Sequence, residues 1–166
     1  GRVGTGTMNE ESTLVLAGYY SGDASPLFIS TLEEIKFIEA EAALRSGATT
    51  RAYNAYLAGI RANMDKIGVA AADRDIYLAR PQIAVGASSL TLADVFREKY
   101  KAMFLHPVTY DDARRFNFAY TGFQLPLNAI LNAPIRRVDY PSSELSLNSS
   151  NVKSVPSLLD RLWWDQ

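Results

Sequence analysis

The chain of 166 residues has no cysteine and a single histidine, His106. Without thiols there is no disulfide framework, no thiolate zinc site and no cysteine nucleophile. With one histidine, a Ser-His-Asp triad or a histidine metal cluster would have to be assembled around His106 alone. That residue precedes Pro107 at an expected helix end, where an imidazole commonly serves the dipole and a terminal carbonyl. Its reading is structural. Charge of one sign is also lacking, since Lys+Arg 17 against Asp+Glu 18 leaves a formal net charge of −1. Arg114–Arg115 and Arg136–Arg137 are isolated pairs, so the concentrated basic surface that nucleic acid or anionic lipid requires is missing. No run approaches the roughly 18 apolar residues of a membrane span. The opening Gly1-Arg2-Val3-Gly4-Thr5-Gly6-Thr7 has no initiator Met and reads as the interior of a longer polypeptide. A missing signal peptide therefore assigns no compartment.

Catalytic, cofactor and metal constellations are equally scarce. Gly1, Gly4 and Gly6 follow no strand pattern and precede no helix opening with Lys-Ser/Thr, so they form neither standard phosphate loop. Asp111 and Asp112 are the tightest carboxylate pair outside the first expected helix. Glycosidase chemistry places two carboxylates across one bond, but adjacent helical residues point about 100° apart. Ion pairs with Arg114 and Arg115 at helical spacing are the expected use. The sequence predicts no enzyme, no cofactor and no metal.

Apolar residues make up 48% of the chain, enough for a real core in one domain of 166 residues. Thr31 to Ser46 and Arg51 to Ile67 read as two capped helices of one helix–turn–helix hairpin spanning 31–68. Leu32, Ile35, Ile38 and Ala42 recur at helical steps and predict the packed face of the first helix. Tyr53, Tyr56, Leu57, Ile60, Met64 and Ile67 do so for the second. Ser30 and Thr31 each stand three residues before a glutamate, the signature of a reciprocal cap. Gly47 and Gly68 stand where each helix should stop. Arg45 and Lys66 put positive charge in the final turns. Small Ala40 and Ala43 suit close helix approach.

Beyond the hairpin, a helical turn is expected at Asp73–Ala79. A third helix should start at Thr91 with Asp94 completing its cap. Its stripe is Leu92, Val95, Phe96, Tyr100, Met103 and Phe104. Thr109 to Phe116 reads as a short helix and Ser157 to Trp164 as a last one. Leu14 to Tyr20 is a possible short strand, Arg136 to Pro141 a short extended piece, and 117–156 long loops. Loops of that length in compact domains are commonly functional. Tyr53, Tyr56, Phe96 and Tyr100 fall on helix stripes and predict packing. Tyr19, Tyr20, Tyr110, Tyr120 and Phe123 fall in loops or at element ends, where rings with polar tips suit a sugar face or a partner; of these, Tyr110, Tyr120 and Phe123 are the candidate ligand-binding residues. Trp163 and Trp164 are neighbours on the expected last helix and cannot face the same way, so they are the candidate partner surface.

Three ordered segments carry a family resemblance. Pro26 to Gly47, with Glu39-Ala40-Glu41-Ala42-Ala43-Leu44-Arg45-Ser46-Gly47, is close to a helix with an AEA-L-R-G core. Glu98 to Phe104, then Tyr110-Asp111-Asp112-Ala113-Arg114-Arg115, follows a K-Y/W-x-A-L helix and a W-x-D-x-R-R run, with Tyr110 replacing the common Trp. Arg137 to Glu144, Asn148, Asn151 and Leu162-Trp163-Trp164-Asp165 follow a closing R-x-x-Y-P-x-x-E…N…WWD pattern. In this order they resemble the SusD-like (SusD/RagB) outer-membrane nutrient-binding proteins of Bacteroidetes.

That resemblance implies a mainly α fold of the SusD-like α/α superhelical class, with TPR-like helix pairs and long loops. It implies a single domain over 1–166 that forms the C-terminal portion of the parent. The parent would be a non-enzymatic, lipid-anchored surface protein of the outer membrane, capping a SusC-like TonB-dependent transporter and delivering oligosaccharide or another nutrient to it. The lipid anchor would lie outside this chain. The alternative is a TPR-like protein–protein interaction domain with no sugar ligand, and a hydrolase ranks third.

Overall fold

The computed structural model describes residues 19–20, 22–153 and 157–165. Among these the chain is mainly α and has no strand. Its helices are α1 (Leu32–Arg45), α2 (Thr49–Lys66), α3 (Ala71–Leu78), α4 (Leu92–Ala102), α5 (Val108–Arg115) and α6 (Ser142–Leu147). Two compact units are present. One ends at Asp112 and contains α1 to α4; the other begins at Ala113. The expected strand at Leu14–Tyr20 lies outside the described residues except for Tyr19 and Tyr20, which form a turn.

α1 and α2 form the expected antiparallel hairpin, for the expected local reasons. Thr31 is the N-cap of α1, its Oγ1 accepting the Glu34 N–H at 3.4 Å. Gly47 closes α1 at φ 80° and Gly68 closes α2 at φ 76°, left-handed conformations that cost glycine nothing. At the turn end, Ala48 N–H donates to the Ala43 carbonyl at 2.8 Å. At the open end, Glu33 of α1 pairs with Lys66 of α2, each charge also sitting at the favourable pole of its own helix. Glu33 is buried, so removing either partner strands a charge in the protein interior.

The packed face of α1 differs from the expected one. Phe37, Ala40 and Ala43 are buried against α2, together with Glu33 and Glu41. Leu32, Ile35 and Ile38 are 60%, 53% and 51% exposed, and Ala42 is exposed beside them. At 100° per residue, Ile35, Ile38 and Ala42 lie opposite Phe37 and Ala40. The helix carries two apolar stripes, and α2 takes the one with smaller residues. α2 answers with Ala52, Ala55 and Gly59, and with Tyr56 and Ile60 behind them. Phe37 is the fit at the centre: a Cβ on Gly59 would stand 3.0 Å from its ring. Its ring meets Tyr56 edge-on at 6.5 Å, and Tyr56 stacks with Tyr53 at 6.2 Å. Ile83, Leu90, Val95 and Ala102 complete this core, each fully buried aliphatic contributing about 1.5–3 kcal/mol.

α4 begins at the expected cap, with Thr91 Oγ1 accepting the Asp94 N–H and Asp94 accepting the Thr91 N–H. Val95, Phe96 and Met103 are buried as expected, but Tyr100 and Phe104 are about half exposed. Two charged residues take their place inside. Glu98 accepts from Tyr77 Oη at 2.8 Å and from Lys101 at 2.6 Å, fastening α3 to α4. Lys99 pairs with Asp112 at 2.6 Å, both nearly sealed from water. Asp112 thus serves an ion pair with a partner on α4, one that local spacing did not single out. The expected last helix at Ser157–Trp164 is absent; its described residues form turns. The polar tract expected to be irregular instead starts α6 directly after Pro141.

Ile60→Asp is expected to abolish cooperative thermal unfolding, whereas Ile35→Asp on the opposite stripe leaves the transition cooperative. Gly59→Ala is expected to lower Tm, because overpacking costs about 1–3 kcal/mol against about 1 kcal/mol of helix propensity gained. Circular dichroism melts of the three variants check this; an unchanged or raised Tm for Gly59→Ala would show that Phe37 yields.

Candidate functional site

In the first unit, the turn before α1, the last turn of α2 and the segment after α4 meet around a cleft of about 200 Å³. Its walls include Tyr20, Phe28, Lys66, Phe104, Leu105 and His106. The rings form a continuous set. Tyr20 meets Phe104 edge-on at 5.6 Å, Tyr19 meets Tyr20 at 4.9 Å, and Tyr19 lies parallel to Phe28 at 6.1 Å. Lys66 places its ammonium 4.9 Å from the centre of the Phe28 ring while pairing with Glu33, so this part of the wall is polar yet neutral.

The chain shapes this cleft by stopping α4 early. A residue before proline is disfavoured in the helical region, and the helix ends at Ala102, ahead of His106-Pro107. Leu105 takes φ 61°, a conformation uncommon for a large side chain, and the reversal leaves Phe104 at the cleft rim. His106 spends its polar groups on the turn. Its Nδ1 accepts the Val108 N–H at 3.3 Å, and its carbonyl accepts from Thr109 N–H and Oγ1. An accepting Nδ1 leaves the proton on Nε2. The imidazole is thus a turn-former at the start of α5, a structural role as expected, although it meets an N–H there and not a terminal carbonyl of α4.

The second unit is organised by a buried guanidinium. Arg136 donates through Nε to Asp165 at 2.7 Å and through a terminal nitrogen to the other Asp165 oxygen. Its remaining donors reach the Asn117 side chain at 2.8 Å and the Arg114 carbonyl at 2.9 Å. Arg114 returns a bond to the Arg136 carbonyl at 2.9 Å, and its guanidinium lies 4.4 Å from the Trp164 ring centre. Arg161 adds a bond to Asn117 at 3.0 Å. The pattern residues Arg114, Trp164 and Asp165 are therefore one structural clamp, and Arg136, rather than its neighbour Arg137, grips the closing aspartate. Arg136 holds the Asp165 carboxyl below the usual carboxylate range, outweighing the opposing effect of burial.

The sequence candidates are distributed over both units. Tyr110 lies on α5 in the first unit and is half-buried. Tyr120 and Phe123 lie in the second, joined by a 3.1 Å bond from Phe123 N–H to the Tyr120 carbonyl. Tyr120 is half-buried on Phe116 at 5.3 Å; Phe123 is 43% exposed and tilts onto Phe118 at 5.5 Å. Trp163 is 85% exposed, whereas Trp164 covers Arg114. The two tryptophans do face differently, on a turn rather than a helix. Sequence reasoning missed Phe28 and Phe104 as cleft residues. Pro107 marks a helix end near His106, but α4 already stops at Ala102, which no local signal placed.

Asp165→Asn is expected to destabilise the second unit by about 3–5 kcal/mol, because Arg136 remains buried without its counter-charge. A carboxylate whose pKa is lowered on folding stabilises above its unfolded value of about 3.9 and loses that contribution as pH falls through the lower folded value. Tryptophan fluorescence on acid titration should therefore show a transition below the ordinary carboxylate range that Asp165→Asn lacks. An unchanged titration in that variant would remove Asp165 from the clamp's energetics.

No curated protein and no solved structure matches the chain. Residues 3–141 match the model of a SusD-like family described as starch-binding associating with outer membrane. That span covers most of the 166 residues, and the chain belongs to the SusD-like family.

Proposed function

We propose that this chain is a non-enzymatic glycan- or nutrient-binding component of an outer-membrane uptake system, serving a SusC-like TonB-dependent transporter. The observation that carries the reading is the aromatic cleft of the first unit. A pyranose presents apolar C–H faces and polar edges. Tyr20, Phe28 and Phe104 offer ring surface, while Lys66 and His106 stand at the margins. The Glu33–Lys66 pair leaves no net charge there, which suits a neutral sugar. At about 200 Å³ the cleft is smaller than the roughly 300–1,000 Å³ of sites that enclose a drug-sized ligand, so it would seat one ring of a longer glycan.

Tyr110, Tyr120 and Phe123 remain proposed ligand contacts, with Phe123 the most open of them. Trp163 is the proposed partner-facing residue, with Trp164 behind it on Arg114. No base–nucleophile pair accompanies His106, whose Nδ1 is committed to the turn, and the reading excludes turnover.

Titration with malto-oligosaccharides followed by NMR is expected to shift Phe104 and Lys66 resonances with weak, millimolar affinity. Phe104→Ala should remove those shifts. Micromolar binding lost in Tyr120→Ala and untouched by Phe104→Ala would move the sugar site to the loop. Hydrolysis of chromogenic glycosides that disappears in His106→Ala would overturn the binding reading.

A further inference from the structure

A second cleft opens in the first unit where the last turns of α2 meet α3 and the end of α4, with a volume of about 280 Å³. Ile60, Met64 and Ala102 supply apolar wall, and Asn63, Tyr77, Glu98 and Lys101 supply polar groups. Ile60, Asn63 and Met64 share a face of α2 at steps of three and four, as Glu98, Lys101 and Ala102 do on α4. Three of the polar groups are fixed by one another. Tyr77 Oη donates to Glu98 at 2.8 Å and accepts from Lys101 at 3.0 Å, while Lys101 also donates to Glu98 at 2.6 Å. Asn63 is the exception. Its side-chain oxygen is buried and has no hydrogen-bond partner among the described residues. Buried acceptors are nearly always paired in native proteins, because leaving one unpaired costs stability.

We propose that this cleft is a second sugar contact, which takes one neutral ring through adjacent hydroxyl groups. The inference rests on the glycan-binding role proposed above but on different residues, since only Ala102 lines both clefts. One hydroxyl donates to the Asn63 oxygen. Its neighbour accepts the third Lys101 N–H, which neither Tyr77 nor Glu98 uses. The C–H groups of the ring rest on Ile60, Met64 and Ala102. Nothing in the cleft selects an ion, because Lys101 and Arg97 together balance Glu98 and Asp94. The volume lies just under the roughly 300 Å³ at which sites for drug-sized ligands begin, which is room for a single ring.

NMR titration of the chain with methyl α-D-glucopyranoside is expected to shift the Asn63 side-chain amide and the Ile67 and Val69 backbone amides, which line this cleft. Phe104→Ala should leave those shifts in place. Asn63→Leu, close in volume but without the acceptor, should weaken the affinity read at Ile67 and Val69 about tenfold, the worth of one hydrogen bond. It should not lower Tm, because the oxygen it removes bonds nothing in the fold. A lowered Tm or an unchanged affinity in Asn63→Leu overturns the inference. So does equal binding of the permethylated glycoside, which has no O–H to donate. Shifts confined to Phe104 and Lys66 overturn it too, and leave the aromatic cleft as the sugar contact. Shifts confined to Asn63, Ile67 and Val69 uphold it and remove the aromatic cleft from the proposed function. Silence at both clefts overturns the inference together with the binding reading.

Discussion

The ring of Phe37 lies so close to Gly59 that a single added methyl group would press on it at 3.0 Å. This contact fixes how far α1 approaches α2 and, because Phe37 points one way only, how α1 is rotated about its axis. Ala40 and Ala43 follow into the interface, and so do Glu33 and Glu41. Glu33 then arrives where Lys66 can neutralise it, and Lys66 in turn reaches over Phe28. The wall of the aromatic cleft is thus a downstream consequence of a glycine in the middle of α2. The same rotation turns Ile35 and Ile38 outward.

That choice between two stripes explains what could be read beforehand and what could not. Helix ends were legible because capping is local: Thr31, Gly47, Gly68 and the Thr91–Asp94 pair each act within a few residues of themselves. Which face packs is a tertiary decision. Periodicity finds Leu32, Ile35, Ile38 and Ala42 as readily as Phe37, Ala40 and Ala43, and transfer energy alone favours the larger aliphatics. Close packing favours the smaller ones, because Ala40 and Ala43 facing Ala52, Ala55 and Gly59 bring the two backbones together. No count of apolar residues on α1 contains the glycine on α2.

The buried charges were invisible for a related reason. Glu98 and Lys99 occupy consecutive positions on α4 and read as a solvated face, yet each meets an opposite or polar group from another element. Burial of that kind depends on Tyr77 and Asp112 arriving at the right height, information that lies 13 to 21 residues away in the chain. The rings named from the sequence, Tyr110, Tyr120 and Phe123, do not line the cleft. The cleft is instead lined by Tyr20, Phe28 and Phe104, with Tyr19 lying against Tyr20 and Phe28. Leu105, at φ 61°, reverses the chain after α4 and leaves Phe104 at the cleft rim.

The closing pattern of the family divides along the same line between framework and function. Asp165 spends both oxygens on Arg136, and Trp164 spends its face on Arg114. Of the closing pattern, Trp164 and Asp165 therefore help hold the second unit together, while Trp163 is left exposed. Under the proposed binding role, recognition would draw on exposed side chains outside that clamp. Phe123, Trp163 and Phe104 at the cleft rim are among the rings that face outward. In this chain the clamp is built from Arg114, Asn117, Arg136, Trp164 and Asp165, whereas Phe123 and Trp163 take no hydrogen bond in it, so a substitution at either exposed ring leaves the clamp's bonds intact.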